Sequence, residues 1–274
     1  MQQIPYRSVE DVGIHMPHAF QAAKEPLDEA LLTRVALCAG MTRASGIVAA
    51  AQELSTAPSN KLNTIIYLLK SLIFARFQQT IDEVVTTAPR LGCKSGCAYC
   101  CHVRVEATIP EAIMVFAHLI DPADPRRQRV LDNADRLQSM DEAGRMFARV
   151  PCPMLIDDKC SIYEDRPLMC RAMMAADAAK CHAAFHSTSS ENEIAIEQFV
   201  DAQFSACGDQ AAMRGILKDM GLQHDVVELT RAVAAMIRDP AIVERWLAGE
   251  QAFETERAPD DVATGEDGAR SAKD

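Results

Sequence analysis

The sequence predicts a mostly α protein: a helical bundle carrying a cysteine-rich metal-binding loop and a small hairpin-like knuckle. Three observations predict it. Apolar residues recur at helical spacing through most of the chain, with Pro and Gly falling between the periodic stretches. The residues are 49% hydrophobic but only 5% aromatic, which describes an interior of Ala, Leu, Met and Ile. Eight of the ten cysteines lie between positions 93 and 181, too closely grouped to be ordinary core residues. At 274 residues the chain can bury a sizeable core. We expect an extended arm over 1–25, one helical domain over 26–252 with the cysteine cluster at 90–185, and a disordered acidic tail over 253–274.

In the arm, Pro5, Gly13 and Pro17 break any period, and His15 and His18 read as exposed residues. Pro26 opens a helix whose stripe Leu27, Leu31, Val35 and Cys38 ends at Gly40. Cys38 sits on that stripe as a small core hydrophobe. A second helix spans 42–54, and 55–60 is a loop whose Ser59 or Asn60 can cap the next helix. That helix, the longest, runs from about Lys61 to Thr87; Ile65, Leu68, Leu69, Ile73 and Phe77 mark it as a scaffold, and Pro89 closes it.

After the first cysteines, Val103 and Val105 alternate with polar neighbours as a short strand. Thr108 then caps a helix through Leu119, with Pro110 and Glu111 in its first turn. Glu111 serves that cap or accepts a bond from a metal-ligand network. The charged stretch 122–150 reads as helix with a solvated face. Met154-Leu-Ile156, the turn Asp157-Asp-Lys159 and Cys160-Ser-Ile-Tyr163 read as a hairpin that brings Cys152 near Cys160. A short helix begins near Asp177, putting His182 and His186 on one face. Four more helices cover 191–206, 210–220, 225–237 and 240–252; Cys207 is read as structural at a helix end, and Trp246 packs the last helix onto the body.

The chemistry sits in Cys93-x3-Cys97-x2-Cys100-Cys101-His102, complemented by Cys152, Cys160, Cys170 and Cys181. Thiolates packed without a cation repel one another, and a thiophilic metal resolves that repulsion. Gly92 and Gly96 permit the tight turns that converge them. The side chains of neighbouring Cys100 and Cys101 are expected to diverge, one facing the first group and the other a second. Eight thiols suffice for two tetrahedral zinc sites, or for one cluster plus a second site; a single 4Fe–4S cluster needs four, for which Cys93, Cys97, Cys100 and Cys170 are the narrow choice. His102 can ligate or bond a sulfur. Arg166 and Arg171 offset thiolate charge, or Arg166 pairs with Glu164 or Asp165 at a helix start.

These motifs, together with Cys-Pro-x-Leu and Cys-Ser-Ile-Tyr-Glu-Asp-Arg-Pro-Leu-x-Cys-Arg, resemble the YkgJ-type cysteine-cluster (CxxCxxCC) family. Its members are described as zinc- or iron-chelating domains and in places as iron–sulfur oxidoreductases, and a similar cysteine domain occurs in flagellin lysine-N-methylases. The resemblance spans about residues 90–185 and implies metal binding without fixing a reaction. Cys181 matches the pattern of the longer members. The spacing Cys-x3-Cys-x2-Cys is also that of radical S-adenosylmethionine enzymes. Those place it after the first strand of a βα barrel, whereas a long helix precedes it here. No glycine-rich loop for a methyl donor is recognisable.

The net charge of −11 and pI near 5.1 argue against a nucleic-acid partner, which needs clustered Lys and Arg. No apolar run approaches the eighteen or so residues that span a bilayer, and the N-terminus does not read as a signal peptide. The expectation is a cytoplasmic protein, away from membranes, whose reduced thiols favour metal over disulfides. Its cofactor is an iron–sulfur cluster, 4Fe–4S by preference, or zinc. Its role is redox or metal handling toward a protein partner, or cluster-dependent enzymology related to the flagellin methylases or another iron–sulfur oxidoreductase.

Overall fold

A computed structural model describes residues 46, 61–87, 90–140, 144, 148–187 and 196–254. The expectations for the arm, for the two helices before residue 55 (Cys38 included) and for the chain beyond 254 fall outside the described residues, Gly46 apart.

The protein is mostly helical. Helix α1 runs Lys61–Leu68, passes through a π-helical turn, Leu69–Phe74, and continues Ala75–Thr87. Its predicted inner face is correct: Ile65, Leu68, Leu69, Ile73 and Phe77 are fully buried. The π turn presents Phe74 to the cysteine region, where the Arg171 guanidinium lies 4.4 Å from its ring centre.

Strand β1, Glu106–Thr108, flows directly into α2, Ile109–Ala117. The capping box is present in full: Thr108 accepts from the backbone of Glu111, and Glu111 accepts from the Thr108 N–H. Helix α3, Pro125–Gln138, starts at Asp124, whose carboxylate accepts from Arg126 N at 2.8 Å, with Pro125 in its first turn. The hairpin is β2, Leu155–Ile156, and β3, Lys159–Cys160, with Leu155 opposite Cys160. Asp157 and Asp158 take φ of 48° and 58°, the two-residue primed turn that suits twisted strands. Helix α4, Leu168–Ala172, carries Cys170, and α5, Ala178–His186, carries Cys181 behind its cap Asp177.

Several stretches differ from expectation, beginning with the strand read at Val103 and Val105, which lies at Glu106–Thr108 instead, and the helix read over 122–150, of which α3 covers Pro125–Gln138. Residues 196–199 are not helical: Ala176 N–H donates to Glu197 O, Phe199 N–H donates to Met174 O, and Ala175 bridges Gln198. Cys207 does not end a helix. It lies inside the twenty-residue α6, Val200–Asp219. Its neighbours Asp209 and Gln210 are buried against Arg76 and the Glu106 carbonyl, so tertiary bonds override the low helix propensity of Gly208. Finally, Val226–Glu228 is a strand, β4, before α7, Leu229–Arg238. β4 pairs antiparallel with β1, Glu106 opposite Glu228; its β-branched residues suit that role. The last helix is shorter than predicted, α8, Ile242–Leu247, closed at Gly249 with φ +95°.

α6 packs on α1, α4 and β1, while α7 packs on α2 and α3. Trp246 is fully buried, its indole N–H donating to Gln223 O at 2.9 Å. Phe253, assigned to the tail, is buried instead, and its N–H donates to Gln223 Oε1 at 2.9 Å. None of the described helices is long and apolar enough to cross a membrane.

Candidate metal centre

The first cysteine segment is seated by Gly92. Its N–H donates to Ala175 O at 2.9 Å, and a Cβ there would lie 2.5 Å from Ala178 N. Only glycine fits this approach, and it puts Cys93 beside Ala175, whose N–H points at Cys93 Sγ at 3.3 Å. An N–H aimed at sulfur favours thiolate character and metal ligation. Gly96 takes φ +85° in the turn closed by Cys97 N–H donating to Lys94 O.

Tyr99–His102 then forms a 3-10 turn. The Cys101 side chain and burial both push the Cys100 thiol up. The turn supplies the junction between the two cysteine segments, because Cys152 N–H donates to Cys101 O at 2.7 Å. Some fifty residues apart in sequence, the segments therefore meet on one backbone hydrogen bond.

Cys170 is placed from further away. Glu111 is fully buried, and its carboxylate accepts from Thr108 N, Thr108 Oγ1 and, at 2.7 Å, Leu168 N, the first residue of α4. One carboxylate thus caps its own helix and the helix bearing Cys170. Burial pushes the Glu111 carboxyl up, against the lowering effect of the Leu168 and Thr108 N–H groups.

The eight thiols, all half-buried, act on one another electrostatically. Burial raises the Cys93 thiol, and Cys100 and Cys97 add to it. Cys181 is raised by burial and by Cys93, Cys97 and Cys100. Cys170 is raised strongly by burial, then by Cys152, Cys100 and Cys160. Burial and Cys160 push Cys152 up to about 11. These influences run across both segments: Cys100 acts on Cys93 and Cys181 and, with Cys152 and Cys160, on Cys170. As the side chains stand, no three His, Cys, Asp or Glu groups among the described residues converge on a single ion position. The donor set itself fits a thiophilic metal: soft donors, reduced, half-buried, and more costly to ionise together than apart. A cation reverses that last effect, since a coordinating thiol loses its proton outright.

Arg166 is held with its guanidinium 3.5 Å from the Tyr163 ring centre and its Nε–H donating to Tyr163 O at 2.9 Å. From there its charge lowers the pKa of Cys100 and Cys170. Asp165 instead pairs with Lys70 and His118. Arg171 instead donates to the carbonyls of Arg166 and Glu164, fixing the loop. His102 packs against Phe185, ring centres 4.8 Å apart, and its Nδ1 lies 3.0 Å from Ala98 O. Cys207 is buried in α6, with burial pushing its thiol up to about 12, and none of the other described thiols acts on it. A small cavity of about 40 Å³ lies beside Cys152, lined by His102, Arg104, Asn133 and Glu228; it has room for a few waters. Sequence reasoning missed Ala175 and Leu168, because backbone groups leave no signal in residue identity.

Residues 92–200 match the family model CxxCxxCC, described as "Putative zinc- or iron-chelating domain". The resemblance carried by the cysteine motifs is thereby shown for that segment, and metal binding is the property it brings. No curated protein and no solved structure matches the chain.

Proposed function

We propose that this is a metal-binding cysteine-cluster protein whose candidate ligands are Cys93, Cys97, Cys100, Cys101, Cys152, Cys160, Cys170 and Cys181, four of which, Cys93, Cys97, Cys100 and Cys170, hold an iron–sulfur cluster of the 4Fe–4S type in a redox or metal-handling role. The carrying observation is that thiols from two remote segments share one electrostatic neighbourhood. Bound there, a cluster supplies one-electron transfer. Arg166 lies where it would offset the charge of a thiolate-ligated centre and tune its potential. Its setting is the cytoplasm and its partner another protein; the acidic chain offers neither nucleic acid nor membrane a basic surface.

A second reading rests on the number of thiols. Eight thiols are enough for two structural zinc sites of four ligands each. One anaerobic preparation separates the readings. Brown protein with broad visible absorption, iron and acid-labile sulfide supports the cluster; colourless protein with two zinc ions per chain supports paired zinc sites.

A further inference from the structure

We propose that His182 and His186 form a second, solvent-facing metal site, a bis-imidazole pair for a divalent ion of the zinc and nickel type, separate from the cysteine centre. The two residues lie four apart on α5 and so one above the other on one face. Their ring centres are 4.4 Å apart, with planes inclined at 50°. A metal–imidazole bond of about 2.1 Å puts the ion about 3.2 Å from each ring centre. Two rings sharing one ion at a right angle then have centres about 4.5 Å apart, and about 5.2 Å apart at the tetrahedral angle. The observed separation fits the first case and needs under about 1 Å of opening for the second.

Both histidines are exposed, so their nitrogens are open to ions and water. Both are also braced. Tyr99 meets His182 edge-on at 5.5 Å and His186 at 6.4 Å, and Phe185 stands perpendicular to His186 at 5.1 Å. Such a wall limits the rotamers the pair samples, which lowers the entropy lost on capturing an ion. Neutral imidazole suits zinc, nickel and copper, whereas the neighbouring Cys181 offers a soft thiolate of the kind the cysteine centre uses. The pair therefore has its own donor chemistry, and its existence does not depend on what the cysteines hold.

The test is a nickel titration of the full-length chain followed by imidazole NMR, which reads each histidine ring separately. Paramagnetic Ni²⁺ is expected to broaden the His182 and His186 resonances together, at concentrations at least about tenfold below those that affect His118 or His224. Replacing His182 by Gln should raise the nickel needed to broaden His186 at least about tenfold, since loss of even an indirect supporting group costs that much. His182→Phe keeps a ring against Tyr99 without a donor nitrogen and should give the same result, which separates ligation from packing. An unchanged His186 response in both variants overturns the site. Tightly held iron or zinc should be equal in wild type and variants. Its absence from all three would count against the cysteine centre and leave the imidazole result standing on its own.

Discussion

Replacing Gly92 by Ala tests whether the first cysteine segment is seated on the loop before α5. The new Cβ would lie 2.5 Å from Ala178 N and 2.9 Å from both Ala176 O and Asp177 C, all backbone atoms. Ordinary contact begins near 3.4 Å, so the 176–178 backbone must retreat by about 0.9 Å. Overpacking of this kind costs about 1–3 kcal/mol. Loss of the Gly92 to Ala175 hydrogen bond adds about 1 kcal/mol, and the stiffer unfolded chain returns about 0.5 kcal/mol. The net loss is about 1.5–3.5 kcal/mol, read as a lower urea midpoint. The displacement also moves Cys93 from the Ala175 N–H and Cys181 from its partners, so metal per chain should fall. Gly96→Ala is the control: at φ +85° with no atom within 4 Å of the added Cβ, it meets only backbone strain of about 1–2 kcal/mol. It should keep most of its metal. A Gly92→Ala protein with wild-type midpoint and metal content would refute the seating.

Glu111→Gln turns one buried acceptor oxygen into a donor facing Thr108 or Leu168, which should cost about 1–3 kcal/mol by urea unfolding and lower metal content through α4. The carboxyls of Glu111 and Glu228 are both raised in the fold by burial, from 4.5. Their contribution is fully present below pH 4.5 and is lost as pH rises through the folded values, so Glu111→Gln should flatten the fall in urea midpoint above pH 4.5. Asp124 behaves oppositely: Arg126 holds it down at about 2, so its contribution is present above 3.8 and lost on acidification toward 2, and Asp124→Ala should cost about 1 kcal/mol at neutral pH and remove that acid sensitivity. Serine at Cys97 or Cys170 should lose metal, while serine at Cys207 should lower the urea midpoint with metal content unchanged; equal metal loss in all three would defeat the ligand assignment.

Much of this was legible in the sequence because the signals were local. The α1 stripe, the Thr108–Glu111 cap, the Asp157–Asp158 turn and the Asp177 cap each depend on residues within a few positions. The pairing of β1 with β4 was not legible, since two three-residue strands more than a hundred positions apart leave no period to read. The unbroken α6 was hidden for a related reason: Gly208 argues locally for an end, and only the buried Asp209 and Gln210 contacts carry the helix through. In the cysteine region, the identity of the thiols was plain. What seats them, the backbone of Ala175, Cys101 and Leu168, carries no mark in residue type.

The central claim is that thiols from these two cysteine segments hold a metal. Elemental analysis of the anaerobically purified full-length chain, beside Cys97→Ser and Cys170→Ser, tests it most directly. Iron with sulfide, or zinc, in whole-number ratio to wild-type protein and reduced in both variants is the predicted result; a folded wild-type chain holding neither metal would contradict it.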